Sequence, residues 1–457
     1  MLDLSQRLDR LPITAAHRLA AVTLAFAYFF ELADLNTFSY AAPGIVGAWG
    51  IPVGDVAFIT ATSFGGMFIG GTFGGMLADR IGRKRAFILS ILVYATFSLL
   101  NGISWDVLSL AAFRFLTGIG LSAMTVTANV YISELFPARL RGRYLSTIFT
   151  IGLVGIPATS WVAYFAVPAT SWGWRLVFVW GALGMLALPL ALRLTESPRW
   201  LASKGRHDEA LRAVEALERM AGSEPPPRTA ATSAPIATAP RQSYGALFDS
   251  RHRLRTLSLS LVWIFQTIGF YGFVAWVPTL LVQHGFTITK SLEYSSLIAI
   301  CNPVGAVVAM QLIERVERKW LITVDAILIA VVGVAYGLAP SPLFIVIFGM
   351  AVIITLQLMN AALYTYTPEA YPTDLRSAGT GLCYGLGRLA NVVGPFIISA
   401  LYLNTGYLSV FVFISGCWLV VAAVVASVGP RTTGRALEAV DISDGTLPFH
   451  HKESSHV

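Results

Sequence analysis

Four ionisable side chains stand inside long apolar runs: Glu31, Asp34, Arg114 and Arg388. A charge at bilayer depth costs several kcal/mol, about 2.5–3.5 even on insertion scales, so such groups face partners or polar cavities and mark function. Glu31 and Asp34 are three residues apart, nearly one helical turn. Two acids so close repel when both are ionised, which favours holding one proton between them. Asp34 lies nine residues before Pro43, where the first run predicts an exit, hence ~13 Å deep. Arg114 lies about seven residues into its own run from the same side, hence ~10 Å deep. If their helices are neighbours the two meet. The pair is then either a proton-coupling switch, in which protonation of the acid releases the arginine, or a fixed buried ion pair.

Arg388 is about eleven residues into its run, ~16 Å from the end, and the second half shows no acid at that depth. Asp325 is only a few residues into a helix and Glu293 begins another. A guanidinium facing a cavity is a bidentate receptor for a carboxylate. The alternative is internal pairing with Glu31 or Asp34, and a substrate carboxylate could displace such a partner. Aromatic residues crowd the same region: Trp263, Phe265, Phe270, Tyr271, Phe273 and Trp276, then Tyr364, Tyr366 and Tyr384. Each alone is as readily a packing residue, yet a flat aromatic acid would need such walls. Asn36, Gln266, Gln357, Asn360 and Asn391 are candidate polar contacts. His17, His252, His284, His450 and His451 are given no role. Cys301, Cys383 and Cys417 lie in apolar runs without metal or redox spacing.

What must position these residues is a membrane bundle. The chain has 457 residues, 55% hydrophobic and 12% charged, with a mean hydropathy of +0.67. A soluble protein carries roughly 25% charged residues. Apolar runs near 17–42, 54–78, 86–104, 107–132, 144–167 and 174–194, then 254–283, 292–313, 320–339, 341–366, 377–402 and 407–428, are each long enough to span. The fold class expected is all-α, with twelve transmembrane helices. Of the 32 Lys and Arg, only Arg114 and Arg388 fall inside spans and only Arg175 and Lys290 on the side opposite the termini. The positive-inside rule makes the terminal side cytoplasmic. The net charge of +7 is therefore topological, and no nucleic-acid partner is expected. No cleavable leader is expected before the first span, because residues 1–16 are polar and mixed in charge.

The organisation is two halves: a cytoplasmic segment 1–16, a six-helix bundle 17–194, a central loop 195–252, a second bundle 253–429 and a tail 430–457. Within the loop, Glu196 to Met220 is helical in character and the Pro/Ala/Thr-rich stretch after it reads as a flexible linker. One offset of 235 residues aligns the halves. It matches Glu134-Leu-Phe-Pro-Ala-Arg-Leu-Arg141 with Glu369-Ala-Tyr-Pro-Thr-Asp-Leu-Arg376, Tyr131 with Tyr366, and Asp79-Arg-Ile-Gly-Arg-Lys84 with Glu314-Arg-Val-Glu-Arg-Lys319. A duplicated six-helix unit follows. The counterpart of Glu31 is the neutral Gln266, which places the proton site in the first half alone.

The loop Gly74-Gly-Met-Leu-Ala-Asp79-Arg80-Ile-Gly82-Arg83-Lys84 resembles the G-x-L-a-D-r-x-G-R-k signature of the major facilitator superfamily, and the likeness spans essentially the whole chain. It implies two pseudo-symmetric six-helix bundles. It also implies gating by charged loops, with Asp79, Arg80, Arg83 and Lys84 latching the cytoplasmic ends of the two halves. Glu134 with Arg141, and Glu369 with Arg376, look like their acidic–basic partners, joined by Glu314 and Arg318 in the second half. That second loop departs from the pattern, with Glu317 where the glycine belongs, so its latch is expected to be weaker. Arg114-x-x-x-Gly118-x-Gly120 is similar to the family's fourth-helix motif. The drug-antiporter signature is absent from the fifth span. Thr195-Glu-Ser-Pro-Arg-Trp-Leu201 is similar to the P-E-S-P-R-W-L of sugar porters and organic-ion transporters.

Arg7-Leu-Asp-Arg-Leu-Pro-Ile-Thr14-x-x-His17, followed by Glu31-x-x-Asp34, resembles the start of bacterial nicotinate transporters and their organic-ion relatives. Gly387-Arg388-Leu-Ala-Asn391 resembles the place where organic-anion members carry an arginine. The resemblance implies a monomeric secondary transporter of the bacterial inner membrane, importing nicotinate or a similar monocarboxylate with protons, by alternating access. An aromatic-acid or sugar proton symporter is the rival, and a non-transporting sensor is the alternative of another class. An enzyme is not expected, and no cofactor, metal or ATP-binding loop is indicated.

Overall fold

The computed structural model describes residues 4–222, 244–250, 252–372 and 375–432. Among these the chain is helical, without a strand. Twelve helices are long and apolar enough to cross a bilayer: α1 Ala15–Trp49, α2 Val53–Ile81, α3 Arg83–Asn101, α4 Val107–Leu135, α5 Ala138–Ala166, α6 Trp174–Leu192, α7 Arg253–Val274, α8 Ile288–Leu312, α9 Arg318–Gly337, α10 Pro342–Glu369, α11 Arg376–Thr405 and α12 Tyr407–Val428. The segment Leu4–Arg10 and the linker helices Pro198–Ser203 and His207–Met220 lie on one face of the bundle, the near face; the α1–α2 and α3–α4 turns mark the far face. The linker after Gly222 and the tail after Thr432, with His450 and His451, lie outside the described residues.

Two spans differ most from the hydropathy reading, one running on through a proline and one broken beside a proline. The first does not end at Pro43. It runs on to Trp49 and stops at Gly50, whose φ of 65° is left-handed. Pro43 removes one backbone bond, but the turns beyond it are held by packing: Ile45 is buried and Gly44 lies against Val167 and Trp174. Asp34 is thus about fifteen residues, ~22 Å, from the far end of its helix rather than ~13 Å. It still meets Arg114, because α1 overhangs α4 at the far face. The seventh run breaks instead: α7 ends at Val274 and a separate helix covers Val277–Gln283, with Pro278 in its first turn.

Close helix approach builds the amino-terminal half. Gly66, Gly70 and Gly74 of α2 lie against the backbone at Phe115, Ile119 and Ala123 of α4, where any Cβ would overlap. Gly118 meets Ser63 and Gly120 meets Tyr94 in the same way, so the Arg114-x-x-x-Gly118-x-Gly120 motif is a packing seam that ends in a charge. The repeat is visible in bonds. Tyr131 donates to the Thr195 carbonyl at 2.6 Å and its counterpart Tyr366 to the Pro430 carbonyl at 2.9 Å. Donors and acceptors both differ by 235 residues.

The halves touch through α2 with α11, α5 with α8, and α1 with the 277–283 helix. At the far face they share one apolar core, in which Phe38, Ile45 and Trp174 join Phe273, Trp276 and Leu280. Near the other face the amino-terminal half keeps a core of its own around Tyr28, Met124, Tyr131 and Leu135. The halves are packed together at the far face, whereas the near-face ion pairs of Arg83 and Arg318 stay within their own halves.

Candidate functional site

Asp34 and Arg114 come together inside the amino-terminal bundle. Arg114 Nη1 is 3.6 Å from Asp34 Oδ2, with side chains 2% and 0% exposed. Ser98 of α3 donates a short hydrogen bond to Asp34 Oδ1. Arg114 donates to Ser63 Oγ at 3.1 Å and to Thr37 Oγ1 at 3.2 Å. On α6, Gly181 leaves the space that the carboxylate fills. Among the described residues Asp34 Oδ2 accepts no hydrogen bond, so one oxygen of this acid has only the longer ionic contact and is available to a proton. Arg114 also borders a cleft between the halves, with Asn36, Ser39, Thr60, Phe64 and Tyr271. Ser98, Ser63 and Thr37 carry no signal in the sequence, because a helical hydroxyl usually bonds its own preceding turn.

Glu31 has different partners. It is buried, accepts from Thr125 Oγ1 at 2.8 Å, and lies within electrostatic reach of Arg388 across the cleft. Arg388 reaches from α11 onto the amino-terminal half. Its Nη1 donates to Ser122 Oγ of α4 and to the Met67 carbonyl of α2 at 3.3 Å. Gly71 makes the slot, since a Cβ there would overlap that nitrogen. Among the described residues no carboxylate lies within ion-pair distance of Arg388. Neither internal pairing, with Glu31 or with Asp34, is formed.

One wall of the cleft is aromatic. The Trp263 ring lies 4.3 Å from Tyr384 and 5.0 Å from Tyr364, and the two tyrosines are 5.0 Å apart. Trp263 Nε1 donates to Thr367 Oγ1 at 2.9 Å, which fixes the indole. Tyr364 is 53% exposed yet lies within reach of the Arg388 and Glu31 charges, so it faces open space between the halves. Tyr271 packs edge-on against Phe64 of the other half at 4.7 Å. Phe273 and Trp276 belong to the far-face core. Of the amides, Gln266 Nε2 donates to Asn360 Oδ1 at 2.9 Å, and Asn391 borders a small gap with Phe64 and Tyr271. Asn36 bonds its own turn at Leu32. Gln357 is engaged with Asn302 at 2.7 Å, both buried between α8 and α10, so it packs helices rather than presenting its amide to the cleft.

The near-face charges pair within each half. Arg83 bridges Asp79 and Glu134, each at 2.7 Å, and the counterpart Arg318 meets Glu369 at 3.3 Å. Glu134 does not pair with Arg141, whose Nε has no hydrogen-bond partner among the described residues, and Glu369 sits on Arg318 rather than Arg376, whose Nε donates to the Pro368 carbonyl. The tight turn at Gly82, φ 102°, delivers Arg83 to the end of α4, whereas the Pro137 turn carries Arg141 past it. Lys84 bonds the Leu192 carbonyl, while Arg80 and Glu314 are exposed. Glu196 was legible only as part of a motif. Its Oε1 accepts the N–H groups of Arg83, Lys84 and Ser197 at 2.8, 3.1 and 3.0 Å, and Trp200 Nε1 holds the Asp79 carbonyl at 2.9 Å. The 195–201 motif therefore clamps the 79–84 loop.

The family model for sugar (and other) transporters matches residues 20–443. The chain is 43% identical over 435 residues to YyaJ, a presumed metabolite transport protein of Bacillus subtilis, covering 95% of this chain and 96% of that one. It is 30% identical over 447 residues to the niacin transporter NiaP of Acinetobacter baylyi, covering 96% and 100%. The xylose transporter XylE from E. coli has the same fold, with a TM-score of 0.73 at 17% identity over 92% of this chain and 99% of that one. Twelve spans, a 235-residue repeat and matches over nearly the whole length leave one assignment: the chain belongs to the sugar (and other) transporter family of the major facilitator superfamily, and it is a multi-pass membrane transporter of organic substrates, not an enzyme.

Proposed function

We propose that the protein imports a small organic monocarboxylate, nicotinate or a similar aromatic acid, in symport with protons. It would act as a monomer in a bacterial-type inner membrane, with the near face cytoplasmic. The observation that carries the reading is Arg388: a guanidinium in the cleft, bonded among the described residues to neutral oxygens alone, beside the Trp263–Tyr364–Tyr384 wall. A carboxylate offers it a bidentate partner, and the rings offer a face to a planar substrate. The name of NiaP supports an aromatic acid. Asp34, with Arg114, would carry the proton, and Glu31 would tune the charge that Arg388 presents. The near-face charges, Asp79, Arg83 and Glu134 with Arg318 and Glu369, would gate by keeping each half's loops in shape.

Binding and uptake in proteoliposomes test this. Arg388→Ala should lower nicotinate affinity more than tenfold, since a lost buried charged contact costs about 2–5 kcal/mol. Arg388→Lys should weaken it less, having lost only the planar fork. Equal binding of nicotinate and nicotinamide by the unmutated protein would sink the assignment.

A further inference from the structure

At three of the prolines within transmembrane backbone, Pro303, Pro368 and Pro278, a side chain takes up the carbonyl that loses its donor. Pro303 leaves the Ala299 carbonyl without its N–H, and Asn302 Nδ2 supplies one at 2.9 Å. Pro368 does the same to the Tyr364 carbonyl, which the Tyr384 hydroxyl approaches at 3.5 Å. Pro278 frees the Val274 carbonyl at the break after α7. There the donor is Ser39 Oγ, 3.2 Å from the Val274 carbonyl and 2.7 Å from that of Ala275. Among the described residues, no backbone N–H outside the helical ladders reaches the Ala275 carbonyl. The first two captures stay inside the carboxyl-terminal half. The third crosses from α1 of the other half, and Ser39 and Val274 are themselves counterparts in the repeat, 235 residues apart.

The crossing bond sits where the far face is shut. Ser39 is buried beside the cleft that Thr60, Tyr271, Val274 and Ala275 line. A carbonyl in an apolar site without a donor is costly, and hydroxyl side chains are what membrane helices use to satisfy it. Opening the far face pulls α1 from the α7 break and strands both carbonyls until water reaches them. We propose that Ser39 is a positioning residue for transport. Its hydroxyl, held by the Val274 carbonyl that Pro278 frees and by the Ala275 carbonyl at the same break, keeps the far face closed and sets the balance between the two open states. It acts through the backbone at Val274 and Ala275, and so does not depend on which substrate is carried.

The test uses the full-length chain in proteoliposomes with Thr60→Cys as a reporter on the far-side cleft and an impermeant maleimide added from that side. Ser39→Ala should raise the labelling rate about two- to tenfold, the range for one net hydrogen bond. Ser39→Thr, which keeps the hydroxyl, should return it toward the parent. Pro278→Ala restores an N–H for the Val274 carbonyl while leaving that of Ala275 to Ser39, so in that background Ser39→Ala should have a smaller effect. A general packing defect would show neither rescue nor dependence on Pro278. An unchanged rate in Ser39→Ala, or an equal rise with and without Pro278, overturns the proposal.

Discussion

Under the proposed function, Arg388 would serve both recognition and movement. Its guanidinium is docked on the opposite half, at Ser122 Oγ and the Met67 carbonyl, in the slot left by Gly71. A carboxylate entering the cleft competes with those neutral oxygens, and as the charged acceptor it forms the stronger bond. Binding then exchanges a contact between halves for a contact with substrate, which would loosen the α2–α11 seam. Removing the competitor should therefore help binding. Ser122→Ala should tighten nicotinate about two- to tenfold, from loss of one hydrogen bond, and leave nicotinamide unaffected. Equilibrium binding of both ligands to the purified variant checks this. Equal tightening for acid and amide would point to a general change in the cleft, not to a released guanidinium.

At the scale of helices, what could be read in advance followed from local constraints. A bilayer demands about 20 apolar residues per span, so run length alone placed most of the helices within a few residues. Charge at depth marked Asp34, Arg114 and Arg388 for the same reason. The partners of those charges were not legible, because they depend on register between helices. Ser98 and Ser90 look alike in sequence, yet Ser90 bonds its own turn at Ala86 while Ser98 turns to Asp34. The charged loops show the same limit: the repeat was plain, but which arginine meets Glu134 depends on the turn at Gly82. That turn also explains why the second loop departs from the motif. In the first half the space beside Gly82 holds the Glu196 carboxylate, which caps the start of α3 and Ser197. In the second half the counterpart of Glu196 is Arg431, and the carboxylate comes from Glu317, whose Oε1 accepts the Thr432 N–H at 3.1 Å. The acid has changed sides of the turn: it keeps the bond to the counterpart of the Ser197 N–H, but makes no side-chain cap bond at the start of α9. Glu196→Ala should then lower the thermal midpoint in detergent, with a loss of about 1.5–3 kcal/mol for a bond to a charged acceptor. Glu196→Gln, which keeps one acceptor oxygen, should lose less. An unchanged midpoint in both would mean that the loop is held by Trp200 and Arg83 alone.

For the whole molecule, alternating access requires the shared far-face core to part while the near-face ends meet, with the two halves moving as rigid bundles. The geometry at Asp34 suits a proton that is taken up and released within such a cycle. Arg114 already holds two hydroxyls, Ser63 and Thr37, which can keep it when the acid is neutral, and it borders the cleft between the halves. Asp34 keeps its bond from Ser98 through Oδ1, while Oδ2 is free to take a proton. Asp34→Asn preserves that shape, because the amide oxygen can still accept from Ser98, so the bundle should fold and the loaded carrier should still reorient. Exchange of labelled substrate between the two sides of a proteoliposome should therefore continue at a rate comparable to the parent. Accumulation driven by an imposed pH gradient should vanish, because no proton remains to be released. Loss of both activities would show that Asp34 supports the fold or the substrate rather than the coupling. If uptake by the unmutated protein ignores the gradient altogether, the protein is a uniporter or exchanger. The Asp34–Arg114 pair is then structural, and the carboxylate site at Arg388 stands or falls on its own test.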